Sequence, residues 1–463
     1  MKKSLIVIAV FVSSLILGSI VLGLLNHSSE PKPFYVGVTY CGSSAEEAKL
    51  LINKVENYTN FFVLQSGGLQ MYPDLINEIG DYAVSSGMHF MVSFGSQSQT
   101  MLESWLETND GRWGDKFLGV YFGDEPAGKL LDGHMSVTYD SLGNSINFGE
   151  GMINQTEMNL RITKSPEMVN VMYKNITNIS FLVDGTVYVD YPDDCVLDYS
   201  PDGSVKKLSY PDYTEVPVDP SDVPSYQELL GLNPLQTYQD VADFFIDAYQ
   251  DRLVCPKNNS LQTFTSDYVL YWFDYKAGYD VLLAQVGWNH TLAQDIALVR
   301  GAATLQNKPW GAIITWKYNH PSYLDTGEAI YNQMHTAYEA GAEYVVVFNY
   351  AEDMTGPYGT LQDEHFEALE RFWNEVVQSS DVKHGSVAAE AVLVLPENYG
   401  WGMRDPADKI WGIWGPDENS QQIWNQCQSL LDQYGLGLDI VYFDPAYPVE
   451  GKYPQIYYWN QTS

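Results

Sequence analysis

Residues 117–126 have the sequence FLGVYFGDEP, in which a run of strand length is followed at once by Asp124 and Glu125. The near-continuous apolar run Phe117–Phe122 is typical of a parallel strand buried on both faces. Carboxylates directly after a buried strand are costly unless they are paired or functional. The segment therefore predicts a strand that ends at a candidate site. The alternative is a helix N-cap, because Asp followed by Glu-Pro also opens helices.

The same pattern recurs along the chain: an apolar run of strand length is followed by an amphipathic stretch of helix length. The predicted strands are Phe34–Tyr40, Phe61–Gln65, His89–Phe94, Phe117–Phe122, Tyr268–Phe273, Leu282–Gly287, Ala312–Tyr318 and Tyr344–Tyr350. The predicted helices include Ala45–Tyr58, Asp74–Ser86, Asp240–Asp251, Leu292–Gln306, Gly327–Ala340 and His365–Gln378. Eight β/α units are the number found in a TIM barrel. We therefore predict an α/β fold, a (β/α)8 TIM barrel over residues 33–380, with an open doubly wound sheet as the alternative.

Two segments do not follow this alternation of predicted strands and helices. Residues 133–224 are predicted as a β-rich insertion after strand four, with strand pairs at Ile179–Tyr191 and Cys195–Tyr210 around turn sequences. In a barrel this loop belongs to the catalytic face, so the insertion is expected to form a lid or a wall of the substrate site.

Residues 385–463 are predicted as a small C-terminal β/α appendage. Its predicted strands are Ala391–Leu395 and Asp439–Phe443, separated by a helix at Gln421–Tyr434. The connecting loop carries Trp401, and we expect this loop to fold back over the barrel mouth.

Charge and aromatic content restrict the partners. The formal net charge is −35, and a surface this acidic repels phosphate backbones, so nucleic acid is excluded as an expected partner. Aromatic residues make up 14% of the chain, with 34 Tyr and 12 Trp. Such rings stack on sugars, although they also serve in cores and subunit contacts. We predict a carbohydrate partner.

The N-terminus predicts export. Lys2 and Lys3 precede the uncharged run Ser4–Leu25, which as a helix is about 33 Å long and crosses a bilayer. We predict a signal anchor and linker at residues 1–32, with the following chain outside the cell; cleavage of the segment is the alternative. Asn-x-Ser/Thr sequons support an exported glycoprotein, archaeal or eukaryotic, and the acidity favours an archaeal one. They lie at Asn26, Asn57, Asn154, Asn175, Asn178, Asn258, Asn289 and Asn460.

No motif predicts a cofactor or a metal. The sequence lacks a dinucleotide-binding or Walker motif, an H-E-x-x-H motif and zinc-like cysteine spacing. A disulfide between Cys195 and Cys255 and free buried thiols are the two alternatives for the cysteines.

Other strand ends carry polar and aromatic residues that suit a sugar cleft, although each of them alone also has a structural explanation. The predicted substrate-binding residues are Gln65, Tyr271, Asp274, Trp316, Lys317, Tyr318, Asn349, Tyr350, Glu352 and Trp401.

Strand four ending in Asp124-Glu125-Pro126 resembles the TIM-barrel glycoside hydrolases. Clan A enzymes carry Asn-Glu-Pro there, and the Asp-Glu pair is similar to that of the substrate-assisted β-N-acetylhexosaminidases. The resemblance implies that Glu125 is the general acid/base and that Asp124 orients the substrate acetamido group, which acts as the nucleophile. The residues expected at the end of strand seven, 315–320, include no carboxylate, which argues against the ordinary clan A mechanism.

The predicted function is that of an extracellular, membrane-anchored glycoside hydrolase acting on a glycan or polysaccharide by a substrate-assisted mechanism, or with Glu125 and a carboxylate from another strand. The alternative is a non-catalytic cell-surface glycan-binding protein or a cell-envelope protein. The missing carboxylate of strand seven favours the alternative, whereas the Asp124-Glu125 pair favours the enzyme.

Overall fold

The structure, a computed structural model, describes residues 33–95, 99–109, 111–140, 143–149, 176–182, 184–191, 194–209, 215–287, 290–315, 324–349 and 358–460. The predicted signal anchor at residues 1–32 lies outside these ranges. Within them, no helix combines the length and the apolar character needed to cross a bilayer.

Eight parallel strands close into a barrel, which confirms the predicted TIM-barrel fold and excludes the open sheet. Each strand pairs with its neighbours in chain order, and the eighth pairs with the first. From first to eighth, the barrel strands are Tyr35–Tyr40, Phe61–Leu64, His89–Phe94, Phe117–Phe122, Thr263–Asp267, Val281–Val286, Trp310–Ile314 and Tyr344–Val347.

The barrel interior is apolar at its centre and becomes polar toward the carboxyl ends of the strands. Side chains from successive strands form one buried cluster, in which Phe61, Met91, Phe264 and Leu283 contribute. Tyr121 belongs to the same cluster but turns its hydroxyl group to Asp124 beyond the strand end. The apolar core therefore supports the side chains of the candidate site from below.

The predicted fifth strand is wrong. The strand is Thr263–Asp267, and the last three residues of the predicted run Tyr268–Phe273 belong instead to the helix Tyr271–Ala277. The true strand is polar in sequence, yet all five of its residues are buried, because its hydroxyl and carboxyl groups bond to neighbouring strands and loops.

Helices surround the barrel, and they include the six that the sequence predicts. In chain order they are Ala45–Val55, Pro73–Ser85, Gln99–Asn109, Pro126–Asp132, Tyr226–Gly231, Tyr238–Arg252, Val254–Asn258, Tyr271–Ala277, Leu292–Gln306, Gly327–Glu339 and Asp363–Phe372. Pro126–Asp132, here called the site helix, starts directly after Glu125.

A seven-stranded antiparallel sheet lies between the fourth and fifth barrel strands along the chain. It contains both predicted strand pairs and a further hairpin, formed by His134–Asp140 and Gly143–Gly149, that the sequence did not suggest. The remaining strands are Asn178–Phe181, Val187–Asp190, Val196–Tyr199, Val205–Ser209 and Glu215–Val216. Cys195 and Cys255 are both buried and are not joined by a disulfide bond, so the disulfide alternative is not realised.

The C-terminal segment forms a three-stranded parallel sheet. Ala391–Leu395 is central, between Leu438–Tyr442 and the unpredicted strand Gln455–Tyr458, and the predicted helix runs over Ser420–Tyr434. The sheet packs on the barrel helix Leu292–Gln306, where the Arg300 guanidinium donates to the Asp439 carboxylate at 2.8 Å. This ion pair is buried, which ties the appendage firmly to the barrel.

Candidate active site

Two residues with a left-handed backbone conformation turn the chain at the end of the fourth barrel strand. Gly123 has φ 76°, and Glu125 has φ 51° and ψ 52°. Left-handed backbone suits glycine but is strained at a glutamate, and such strain is concentrated at functional sites. The Glu125 amide donates to the Ser266 carbonyl at 3.0 Å, so the end of the fifth strand stabilises the turn.

Glu125 is mostly buried at the barrel mouth. Its Oε1 atom accepts a hydrogen bond from Gln285 Nε2 at 2.8 Å. Burial, and then the charge of Asp124, raise the pKa of Glu125 to about 7. The protonated form of the Glu125 carboxyl group is therefore accessible near neutral pH, as a general acid requires.

Asp124 occupies a different environment beside it. Its side chain is 43% exposed, and its Oδ1 atom accepts hydrogen bonds from the hydroxyl groups of Tyr121 and, at 3.4 Å, Ser266. Lys129 Nζ lies 3.9 Å from the other oxygen, Oδ2. Burial and the charge of Asp124 hold the pKa of Tyr121 well above its usual value, so Tyr121 remains a donor. Two adjacent carboxyl groups thus have distinct surroundings, one buried and one partly open.

Three residues of this site were missed by sequence reasoning: Tyr121, Ser266 and Gln285. Gln285 Nε2 donates to Ser266 Oγ at 3.0 Å as well as to Glu125, which joins the ends of the fourth, fifth and sixth strands. A signal existed for Gln285, which is the one polar residue of the apolar strand Val281–Val286. Ser266 was hidden by the wrong placement of the fifth strand.

Tyr271 and Asp274 do not line the cleft, which corrects their prediction as substrate-binding residues. Both lie in the helix Tyr271–Ala277 instead of at a strand end, and both side chains are buried. Trp401 is also buried: its indole donates to the Asp408 carbonyl at 3.1 Å and its ring packs on Tyr399 and Trp424. These three side chains contribute to packing and offer no surface to a ligand.

Gln65 and Asn349 do lie at strand ends, as predicted. The Gln65 backbone N–H donates to the Tyr40 carbonyl at 2.9 Å, and the buried side-chain Oε1 of Gln65 has no hydrogen-bond partner among the described residues. Asn349 is buried and its Oδ1 accepts from the Thr360 backbone at 2.8 Å, so it fixes a loop. Gln65 thus remains a candidate for binding a donor group of a ligand.

The other predicted residues, Trp316, Lys317, Tyr318, Tyr350 and Glu352, lie outside the described residues. Across the described ranges, no group of three or more His, Cys, Asp or Glu side chains is arranged to hold a metal ion.

The loop that carries Trp401 nevertheless reaches the site helix through Arg404. The guanidinium donates to both Asp132 oxygens, at 2.7 and 2.8 Å, and to both Asp408 oxygens, at 2.7 and 2.9 Å. Hydrogen bonds from Arg404 and from Tyr268 lower the pKa of Asp132 against the effect of its burial. Since Asp132 ends the site helix, the C-terminal appendage anchors the element that follows Glu125.

No protein-family model and no curated protein matches the sequence. Among solved structures, GH5_18 from Streptomyces cattleya in complex with GlcNAc is 10% identical, with a TM-score of 0.46 over 92% of this chain and 99% of that chain. Alpha-L-fucosidase isoenzyme 2 from Paenibacillus thiaminolyticus is 10% identical, with a TM-score of 0.36 over 78% and 52%. Cryptosporidium parvum pyruvate kinase is 10% identical, with a TM-score of 0.30 over 81% and 82%.

Proposed function

We propose that this protein is a glycoside hydrolase that acts on a glycan and uses Glu125 as its general acid. The observation that carries the proposal is the contrast between two adjacent carboxyl groups at the end of the fourth barrel strand. Burial raises the pKa of Glu125 to about 7, whereas Asp124 is partly exposed and accepts two hydroxyl hydrogen bonds. Two neighbouring carboxyl groups in different environments can take different roles in catalysis.

Glu125 donates its proton to the glycosidic oxygen as the bond to the sugar carbon breaks. The expelled sugar then leaves as a neutral alcohol, and the resulting Glu125 carboxylate accepts a proton from the water that completes hydrolysis. Gln285 stabilises that carboxylate by its hydrogen bond to Oε1. The same side chain therefore acts as acid and then as base.

Asp124 supports a substrate-assisted first step on a 2-acetamido sugar. Because Tyr121 and Ser266 bind Oδ1, the Oδ2 atom, which lies 3.9 Å from Lys129 Nζ, accepts the acetamido N–H. This contact orients the acetamido oxygen for attack on the sugar carbon, so the substrate supplies its own nucleophile. The carboxylate-free residues 315–320 agree with a mechanism that needs no enzymic nucleophile from that segment.

A substrate screen tests the proposal. Full-length protein and a Glu125→Gln variant are assayed against aryl glycosides, aryl N-acetylhexosaminides and oligosaccharides, with Glu107→Gln, an exposed glutamate, as the matched control. We expect the parent and Glu107→Gln to cleave N-acetylhexosaminides and the Glu125 variant to lose activity. Saturable binding of a glycan without cleavage by the parent would instead favour the alternative, a non-catalytic cell-surface glycan-binding protein.

We further propose that the protein is held at the outer face of the cell membrane by residues 4–25 and is glycosylated. The two lysines that precede an uncharged run of bilayer length support the anchor. Asn57, Asn258 and Asn460 are exposed sequon residues, whereas the Asn178 amide donates to Asp190 at 2.7 Å and is not free for a sugar.

Fractionation and peptide mass spectrometry test this location. We expect detergent, and not alkaline carbonate, to release the protein from membranes, with glycans at the three exposed sites and none at Asn178. Released protein that begins near residue 27 would show that the segment is cleaved.

A further inference from the structure

Tyr121 lies below the two site carboxyl groups, with its ring in the barrel core and its hydroxyl group at the strand end. Its backbone pairs with Ser93 of the third strand and Phe264 of the fifth, and its side chain is only 1% exposed. Bulk water therefore does not compete for this hydroxyl group, and its hydrogen bonds are made to protein atoms.

The hydrogen bonds of Tyr121 run in one direction. The Ser266 backbone N–H, which can only donate, lies 3.2 Å from the Tyr121 hydroxyl oxygen. Asp124, as a carboxylate, can only accept, so the single hydroxyl hydrogen of Tyr121 goes to Asp124 Oδ1. Ser266 Oγ lies 2.7 Å from the same Tyr121 oxygen, and Ser266 is therefore the donor in that contact. Tyr121 thus accepts twice from Ser266 and donates once to Asp124.

Ser266 connects this hydroxyl group to both site carboxyl groups. Its Oγ atom accepts from Gln285 Nε2 at 3.0 Å, and its carbonyl oxygen accepts from the Glu125 backbone N–H at 3.0 Å. Its one hydroxyl hydrogen is shared between Tyr121 at 2.7 Å and Asp124 Oδ1 at 3.4 Å, and the shorter contact is the stronger one. An array of donors therefore runs from Gln285 through Ser266 and Tyr121 to Asp124. The other N–H of Gln285 donates to Glu125.

The end of the fifth strand is fixed against the site helix, which keeps Ser266 in place. Asp267, next to Ser266, accepts from the backbone N–H groups of Ala127 at 2.8 Å and Gly128 at 3.1 Å, in the first turn of that helix. An added Cβ at Gly128 would come within 2.4 Å of Tyr268 ring carbons, so the helix and the strand end are in close contact. The array of donors is thus built on closely packed elements.

The array decides which oxygen of Asp124 faces a ligand. Oδ1 is bound by Tyr121 and Ser266, whereas Oδ2 lies 3.9 Å from Lys129 Nζ. The terminal torsion of an aspartate has a broad energy well, so the direction of Oδ2 depends on what holds Oδ1. Because the Asp124 side chain is 43% exposed, packing alone does not fix this torsion.

We propose that Tyr121 is a positioning residue for Asp124, which by binding Oδ1 directs Oδ2 toward the acetamido N–H of the substrate. Ser266 and Gln285 set the direction in which Tyr121 donates. The inference rests on the proposed function in giving Asp124 a 2-acetamido substrate, whereas the hydrogen bond itself is tested without turnover.

Proton NMR of full-length protein in detergent tests the direction of the bond. A buried hydroxyl hydrogen in a charge-assisted bond to a carboxylate exchanges slowly with water and resonates downfield of the amide protons. We expect Tyr121→Phe to remove one such resonance, Asp124→Asn to move it upfield and Ser266→Ala to retain it. The matched control is Tyr82→Phe, which removes a hydroxyl group that donates to Asn53 at 2.7 Å on the surface. It should leave the resonance unchanged.

Kinetics test what the bond does. Tyr121→Phe should lower kcat/KM about tenfold or more on activated and unactivated N-acetylhexosaminides alike, because it acts through the acetamido nucleophile. In an Asp124→Asn background it should have little further effect, since no carboxylate is left for Tyr121 to orient. Tyr82→Phe should leave kcat/KM unchanged. A loss that adds in full to that of Asp124→Asn would show a role independent of Asp124 and would overturn the proposal.

Two spectral results also overturn it. One is a resonance that Ser266→Ala removes and Asp124→Asn leaves in place, which would make Ser266 the acceptor. The other is the absence of any downfield resonance that depends on Tyr121. If Tyr121→Phe does not fold, Asp124→Asn and Ser266→Ala still give the direction of the bond through their opposite effects. If the spectra agree but the parent cleaves no glycoside, the positioning of Asp124 stands and the hydrolase proposal fails.

Discussion

Gln285 Nε2 lies 2.8 Å from Glu125 Oε1 and donates a hydrogen bond to it from the end of the sixth barrel strand. This bond favours the ionised carboxyl group, whereas burial and the neighbouring charge of Asp124 favour the protonated one. The balance puts the pKa of Glu125 at about 7, where both forms are accessible. A side chain that must donate a proton and then accept one needs this balance.

The raised pKa of Glu125 predicts that this residue destabilises the fold at alkaline pH. Its pKa is near 4.5 when unfolded and about 7 when folded, so its contribution to stability is present below pH 4.5 and is lost as the pH rises through 7. At pH 8, Glu125→Gln should therefore raise the free energy of unfolding, by about 3 kcal/mol at most, and it should have little effect at pH 4.5. Urea unfolding at the two pH values measures this, with Glu107→Gln as the control. If Glu125→Gln changed the free energy of unfolding equally at both pH values, the raised pKa of Glu125 would be contradicted.

Asp124→Asn should slow the cleavage of activated and unactivated N-acetylhexosaminides alike. Asp124 acts on the acetamido nucleophile and not on the leaving group, so a better leaving group does not compensate for its loss. We expect a decrease in kcat/KM of about 10²-fold or more for both substrate types, measured in parallel assays. A loss confined to poor leaving groups would instead give Asp124 a role in proton donation.

Arg404→Gln should raise the midpoint of the Glu125 titration. The guanidinium neutralises Asp132, and the Asp132 charge is one of the causes that raise the pKa of Glu125. Without Arg404 that charge acts unopposed, so the alkaline limb of the pH–rate profile should move to higher pH. Arg112→Gln, which breaks an exposed ion pair with Asp81, serves as the control and should leave the limb in place. Movement of the limb to lower pH would contradict this explanation.

The sequence predicted the barrel because seven of its strands are apolar runs with helices between them. The fifth strand failed for a physical reason: Thr263–Asp267 is polar because it supplies Ser266 and Asp267 to the site. Hydrophobicity therefore favoured the next apolar run, Tyr268–Phe273, which leads into the helix Tyr271–Ala277. A search for apolar runs therefore misses this strand, because polar side chains of the site replace apolar ones in it.

Within the site, Asp124 and Glu125 were predictable because carboxylates after a buried strand are conspicuous. The contacts that set their chemistry were not, since they join residues far apart in the chain. Gln285 reaches Glu125 across 160 positions, and Arg404 reaches Asp132 across 272. Spacing in a single sequence carries no information on such pairs.

The most direct test of the central claim is the dependence of rate on leaving group in Glu125→Gln. A series of aryl N-acetylhexosaminides with leaving groups of rising pKa, and an oligosaccharide, is assayed with parent and variant. A general acid neutralises charge on the departing oxygen, and its loss costs roughly 10²–10⁴-fold where the oxygen needs help. We predict a loss of that size on the oligosaccharide, a much smaller one on nitrophenyl glycosides, and a steeper dependence on leaving-group pKa than in the parent. Undiminished cleavage of the oligosaccharide by Glu125→Gln would contradict the assignment of Glu125 as the general acid.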